Sequence, residues 1–356
     1  MNIFSGFFTS LLISFFSIPS VIKIAELKNL TDQPDSRKSH SSHIPTLGGV
    51  SIFAGLIFSL SFWCKASDFS EMKYFISSLL IIFFMGIKDD LYDLVHYKKM
   101  LAQILAALIL VHYGDVRITS LYRFFGIQDI PLWSSYLISI LTITVIVNSF
   151  NLIDGVDGLA VGVASVICAF FGTWFYLVDY NSLSLMAFSL LGALLAFLYY
   201  NRTPAKIFMG DTGSMLIGFV IALLTIKFIE FNKVNAGPYH VTSVPAVAIG
   251  ILIVPLFDLA RVFYLRLRDG QSPLAGDRNH FHHRLLDLGL RPSQVSLLLS
   301  GVTAFYIILG VGLCWMQGEI LLLIMLGLAL GATIIIERKY QRRVEVKIPS
   351  GNRSHI

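Results

Sequence analysis

Long apolar runs alternate with short polar ones from the start of the chain to residue 337. A helix needs about 20 apolar residues to cross a bilayer core of about 30 Å. By that measure the pattern predicts eleven spans, at 3–24, 47–64, 74–87, 100–113, 132–150, 158–178, 184–200, 212–230, 243–264, 293–315 and 320–337. The third and fourth are short and are expected to extend or tilt. Eleven helices leave no room for a separate soluble domain. Residues 1–337 therefore read as one transmembrane domain and 338–356 as a basic tail. The expected fold class is all-α, a polytopic membrane bundle. The opening stretch MNIFSGFFTSLLISFF has neither a basic leader nor a small-residue cleavage site, so it reads as a retained span. No repeat of 20–50 residues is visible. The polar stretch 114–131 is expected to form a short hairpin.

Composition agrees with the pattern. Hydrophobic residues make up 55% and charged residues 14%, against about 45–50% and about 25% in soluble domains. That balance excludes a disordered chain, a disulfide scaffold and an ordinary cytosolic enzyme. The net charge is +5 and the pI near 9.0, which could suggest nucleic acid. Basic residues gathered on one membrane face account for it better, so no nucleic-acid partner is expected. If residue 1 lies outside, the inner segments are 23–46, 88–99, 201–211, 261–292 and 337–356, with the short turn 151–157. They hold 21 of the 27 Lys and Arg residues. The positive-inside rule then sets the N-terminus outside and the C-terminus in the cytoplasm. The three cysteines, Cys64, Cys168 and Cys314, sit in apolar stretches with no Cys-x-x-Cys spacing, and read as small hydrophobes.

Five polar clusters fall at the same junctions: SRKSHSSHIPTLGG (36–49), KDDLYD (88–93), NSFNLIDGVDGLA (148–160), NRTPAKIFMGDTGS (201–214) and DRNHFHHRL (277–285). Charges at membrane helix ends are costly unless solvated or functional, and five on one face describe a site. In KDDLYD, Asp89 and Asp93 share a helix face and Asp90 is turned by about 100°. Adjacent carboxylates repel, so a divalent cation or a lysine is expected beside them; a solvated acidic helix end is the plainer reading. Asn148, Asn151, Asp154 and Asp157 recur every third residue. They suit uracil edges, sugar hydroxyls or a metal, or else cap and join helices. Asp211 lies between Gly210 and Gly213 at a helix start, where phosphate or a phosphate-bridging Mg²⁺ would bind, unless it is simply an N-cap. Asn201 closes the same loop. His280, His282, His283 and Arg284 form a cluster that could take zinc. The flanking arginines and the lack of cysteine favour an anion such as pyrophosphate. Lys38 and Lys99 add ammonium groups able to reach phosphate, or to anchor at the membrane surface. His40 and His43 read as loop polar groups.

These clusters in this order resemble the polyprenyl-phosphate N-acetylhexosamine-1-phosphate transferase family, over nearly the whole chain. SPLAGDRNHFHHRLLDLGL is similar to the branch that uses UDP-N-acetylglucosamine. The peptidoglycan branch typically carries three adjacent histidines. Here Phe281 interrupts them, and an eleventh span with a basic tail follows; both argue against UDP-MurNAc-pentapeptide as donor. The resemblance implies transfer of GlcNAc-1-phosphate from UDP-GlcNAc to undecaprenyl phosphate, releasing UMP, as the first step of a cell-envelope glycan. Another UDP-2-acetamido sugar is the nearest alternative. The implied setting is the bacterial inner membrane, with the active site facing the cytoplasm and the lipid bilayer as a partner. A homodimer is compatible with the sequence. By analogy, Asp211 and Asn151 hold Mg²⁺, with Mn²⁺ as a substitute. Asp89 and Asp90 lie at the attacking phosphate, and Lys99 steadies charge. Asp154, Asp157 and Asn201 meet the nucleoside side, while His280, His282, His283 and Arg284 bind diphosphate or sugar. Lys38 reaches a phosphate. Direct attack of the lipid phosphate is favoured, with Asp89 as base or orienter. A transporter is the competing class, but its polar residues should line a path through the bilayer. Here they gather at one face.

Overall fold

A computed structural model describes residues 3–32, 44–92, 94–234, 237–272 and 280–347. The helices are α1 (Ile3–Leu27), α2 (Gly48–Trp63), α3 (Ala66–Tyr92), α4 (His96–His112), α5 (Leu132–Ile153), α6 (Leu159–Leu177), α7 (Asn181–Asn201), α8 (Gly210–Val234), α9 (Val244–Ile251), α10 (Ile253–Arg268), α11 (Phe281–Asp287), α12 (Pro292–Gly312) and α13 (Gly318–Lys347). One antiparallel pair, β1 (Thr31–Asp32) with β2 (Ile44–Pro45), is the sole sheet among the described residues. The protein is an all-α, membrane-spanning bundle. Seven described helices are long and apolar enough to cross a bilayer, or eight when α9 and α10 count as one span.

The first helix shows how such a chain sorts its side chains. Phe4, Phe8, Leu12 and Phe16 recur every fourth residue and are exposed, while Ser10 and Ser14 are fully buried. Lipid solvates the phenyl rings as well as a protein core would, so the buried seam goes to small and hydrogen-bonding residues. Ser14 Oγ donates to the Ser51 carbonyl at 3.0 Å, and Ser59 Oγ donates to the Gly6 carbonyl at 2.8 Å. These bonds fasten α2 to α1. Helix α8 takes the central position and touches α2, α3, α5, α6, α7 and α9.

Two features differ from the sequence expectation. The apolar run 243–264 is not one straight span: α9 and α10 meet at Leu252 with a bend of 81°. Beyond 338, α13 continues as helix to Lys347, and Arg343 donates to the Leu288 carbonyl at the end of α11. The 114–131 stretch does form a hairpin. Ser120 pairs with Asp129, and Glu230 clamps Thr119 through its backbone N–H and its hydroxyl, both at 2.7 Å.

The chain after β2 docks onto the entry to α8. Phe208 N donates to the Pro45 carbonyl at 2.7 Å, and Gly48 N and Gly49 N donate to Phe208 and Met209 carbonyls at 3.0 and 2.9 Å. A Cβ on Gly49 would lie 2.3 Å from Gly213 N, so the glycine pair allows α2 to reach the α8 backbone. The ends of α3, α5 and α7 and the starts of α2, α4, α6 and α8 thereby meet at one end of the bundle.

Candidate active site

The centre of that end is an acidic cluster around one ammonium group. Lys99, in the first turn of α4, places Nζ 2.6 Å from Asp211 Oδ2 and forms a second ion pair with Asp89 Oδ2. Asp89 is 3% exposed, and its other oxygen accepts the Leu94 N–H at 2.7 Å. Asn151 Nδ2 donates to Asp211 Oδ1 at 2.5 Å and to Ser214 Oγ at 3.0 Å. Behind it, Asn148 Nδ2 donates to Gln103 Oε1 at 2.7 Å.

Asp90 does a different job from its neighbour. Its carboxylate accepts the Asp211 N–H at 2.7 Å, the Thr212 N–H at 3.2 Å and the Thr212 hydroxyl at 2.5 Å. It caps the first turn of α8 from another helix, supplying acceptors to N–H groups that have no partner within the helix. Gly210 makes the approach feasible. Its φ is +68°, and a Cβ there would sit 2.3 Å from the Thr46 carbonyl and 2.6 Å from both Asp90 oxygens.

The 154–158 turn closes the site on the α5 side. The helix ends at Ile153, so Asp154 and Asp157 leave the face that Asn148 and Asn151 share. Asp154 lies beyond the apolar helix in a crowd of like charge. Burial, and then Asp211, Asp90 and Asp157, push its carboxyl well above the usual carboxylate range. Asp157 Oδ2 accepts the Ala205 N–H at 3.3 Å. Asn201 is a latch: its Oδ1 accepts the Gly158 N–H, and its Nδ2 donates to the Ile207 carbonyl, both at 2.8 Å.

The histidines sit next to this turn. His282 is 2% exposed, and a Cβ on Gly155 would lie 2.8 Å from its Nε2. Burial first, then His283 and His280, lower its pKa to about 3 against the pull of Asp258. His280 and His282 stack at 5.4 Å between ring centroids, 10° from parallel, and His283 lies 4.4 Å from His282. Arg284 is directed elsewhere. It stacks on Tyr340 at 4.2 Å and approaches Glu337 of α13, which also pairs with Arg261 at 3.2 Å. Lys38, His40, His43 and Asp93 lie outside the described residues.

Asp258 was missed by the sequence reading. It is buried on α10, and its oxygens accept His280 Nδ1 at 2.9 Å and Phe281 N at 2.8 Å. The available signal was a carboxylate inside the apolar run 253–262. Thr212, Ser214 and Gln103 were missed as well, being small polar groups that only tertiary contacts single out.

The donors at Asp89, Asp211 and Asn151 are hard oxygens and amide groups. Two carboxylates, Asp89 and Asp211, share the single Lys99 ammonium, and Asp90 and Asp154 lie within electrostatic reach of Asp211. Such a surplus of negative charge fits a divalent cation. Among the described residues no three His, Cys, Asp or Glu side chains converge on one point. Mg²⁺ is commonly held by one or two carboxylates with substrate phosphates completing the shell.

Comparison with known proteins decides the family. The glycosyl transferase family 4 profile matches residues 72–229. An undecaprenyl-phosphate alpha-N-acetylglucosaminyl 1-phosphate transferase of Salmonella typhimurium is 31% identical over 297 residues, 82% of this chain and 77% of the relative. A probable undecaprenyl-phosphate N-acetylglucosaminyl 1-phosphate transferase of Bacillus subtilis is 33% identical over 314 residues, 85% of this chain and 82% of the relative. The chain belongs to glycosyl transferase family 4. The undecaprenyl-phosphate alpha-N-acetylglucosaminyl 1-phosphate transferase of Escherichia coli K12 is 29% identical over 81% of this chain and 78% of the relative. The profile match contains Asp89, Asp90, Lys99, Asn151, Asp154, Asp157, Asn201 and Asp211. It ends before Asp258 and the histidines. The family resemblance drawn from the five motifs is thus borne out.

Proposed function

We propose that this protein transfers GlcNAc-1-phosphate from UDP-GlcNAc to undecaprenyl phosphate, giving undecaprenyl-diphospho-GlcNAc and UMP. An oxygen of the lipid phosphate attacks the β-phosphorus of the UDP-sugar. The β-phosphorus–bridging-oxygen bond breaks, and UMP leaves with that oxygen and its electron pair. One phosphoanhydride is lost and one gained, so removal of product drives the reaction. The observation that carries this reading is the Asp89–Lys99–Asp211 bridge, which joins α3, α4 and α8 at a single point.

Asp211 and Asn151 would hold Mg²⁺. When bound, the ion neutralises charge on the donor diphosphate. The remaining work falls to positioning by the chain. Lys99 brings an ammonium to the transferring phosphoryl group. A phosphate monoester with a second pKa of about 6 is mostly ionised near neutrality, so Asp89 orients more than it deprotonates. Both Asp89 oxygens are engaged, by Leu94 N–H and by Lys99, and this favours single displacement over an aspartyl-phosphate. Asp154 and Asp157 are assigned to the nucleoside side, and His282 and His283 to the diphosphate or sugar.

The setting assigned is the bacterial inner membrane, with eleven spans, the N-terminus outside and the site facing the cytoplasm. The test is a panel of UDP-sugars offered to the purified protein with undecaprenyl phosphate and Mg²⁺, scored by UMP release and by the mass of the lipid product. UMP release with UDP-GlcNAc and a lipid product heavier by one GlcNAc-1-phosphate supports the assignment. A folded protein that releases no UMP with UDP-GlcNAc overturns it.

A further inference from the structure

We propose that Asp258 is a positioning residue for the histidines. It fixes the His280 ring with a proton on Nδ1 and, through the ring stack, sets His282 against the turn at Gly155. The inference rests on the proposed transferase reading for its kinetic consequences, though not for its geometry.

The 81° break between α9 and α10 is the first step. It swings α10 away from the line of α9 and carries Asp258 to the start of α11. Both oxygens of Asp258 are then committed to that short helix. Oδ1 accepts the Phe281 N–H and Oδ2 accepts His280 Nδ1–H, at 2.8 and 2.9 Å. Asp258 and His280 are each 5% exposed. A buried carboxylate of this kind must be compensated, and breaking such a pair is costly.

The bond decides which ring nitrogen carries the proton. An ionised carboxylate only accepts, so the nitrogen that faces it must donate. With Nδ1 committed, Nε2 is the nitrogen left to meet a ligand. The His280 ring in turn lies nearly parallel to His282, whose Nε2 abuts Gly155 beside Asp154. A line of contacts therefore runs from a kink in a membrane helix to the acid-lined turn, through one carboxylate and two imidazoles.

Asp258→Asn separates this role from simple support of α11. The asparagine oxygen can still accept the Phe281 N–H. Its NH₂ then faces His280 Nδ1, which must become the acceptor, so the ring proton moves to Nε2. The test uses the full-length protein in lipid nanodiscs with ¹⁵N-labelled histidine, the His280 signal being the one lost in His280→Gln. In the wild type His280 should carry a proton on Nδ1, and in Asp258→Asn the proton should shift to Nε2. In the transferase assay, the KM for UDP-GlcNAc should rise about tenfold in Asp258→Asn with the KM for undecaprenyl phosphate unchanged, as for loss of a donor-binding contact. Adding His280→Ala to Asp258→Asn should cause little further loss, because both changes remove one interaction.

A wild-type His280 protonated on Nε2 alone would overturn the proposal, whether or not Asp258→Asn folds. So would an unchanged donor KM in Asp258→Asn, or losses from the two changes that multiply as independent effects. The ring-proton measurement needs no turnover, so a protein that proves inactive with UDP-GlcNAc would defeat the transferase reading and leave this test standing.

Discussion

Lys99 meets Asp89 and Asp211 at once, so one ammonium is shared by two carboxylates from two other helices. Asp211→Asn removes one carboxylate but keeps a side chain that can meet Asn151 and Lys99. It should therefore insert and fold while transfer falls by roughly two to three orders of magnitude, the range seen when one transition-state contact is deleted. Rates of UMP release from the purified variant check this, and full activity would remove Asp211 from the site. His282 gives a second residue-scale prediction. Its folded pKa is about 3, below the value of about 6.5 for an unperturbed imidazole. Between those values the unfolded chain binds the extra proton, so stability rises with pH through the window and is lost as pH falls. From pH 7 to pH 5 this group should cost about 2 kcal/mol. Thermal unfolding at the two pH values should show the loss, and His282→Gln should flatten the slope. Asp89, Asp211 and the histidines were legible as candidates because ionisable residues at the ends of apolar runs need a reason to be there. Asn201 was read as closing the loop that leads to Asp211, and both ends of its amide are bound to backbone. Asp258 was passed over because its partner His280 lies 22 residues on, and no local spacing connects them.

At the scale of elements, hydropathy located the helices and was blind to their angles. The run 243–264 stays apolar through Leu252, so nothing in its composition marks the 81° bend. The cap on α8 was equally hidden. Asp211 was weighed as an N-cap for its own helix, whereas the capping carboxylate is Asp90, contributed by α3. Asp90→Ala leaves two backbone N–H groups and a hydroxyl without that acceptor. Loss of a cap costs about 1–2 kcal/mol, and the start of α8 carries Asp211. Asp90→Ala should thus lower the unfolding temperature and activity together, while Asp211→Asn should lower activity alone. Comparing unfolding curves in detergent with UMP release separates the two carboxylates. A stable but inactive Asp90→Ala would shift Asp90 from capping to direct contact with substrate.

For the whole molecule, charge and architecture make one joint prediction. The acidic cluster occupies the end of the bundle where α3, α5 and α7 finish and α4, α6 and α8 begin, and 21 of 27 basic residues fall in the segments assigned to that side. Positive segments remain on the cytoplasmic face during insertion. That face is also where a nucleotide sugar would be met, while the lipid acceptor is reached sideways from the bilayer. Two exposed positions at opposite ends of the bundle test the arrangement, Gln271 after α10 and Gly237 after α8. In a background with Cys64, Cys168 and Cys314 replaced by alanine, Gly237→Cys should react with a membrane-impermeant maleimide on intact spheroplasts. Gln271→Cys should react only after permeabilisation. The reverse pattern would put the acidic cluster outside, away from any nucleotide supply, and both positions reacting on intact spheroplasts would break the bundle arrangement itself. Either result would detach the Asp89–Lys99–Asp211 bridge from a UDP-sugar, however sound its geometry.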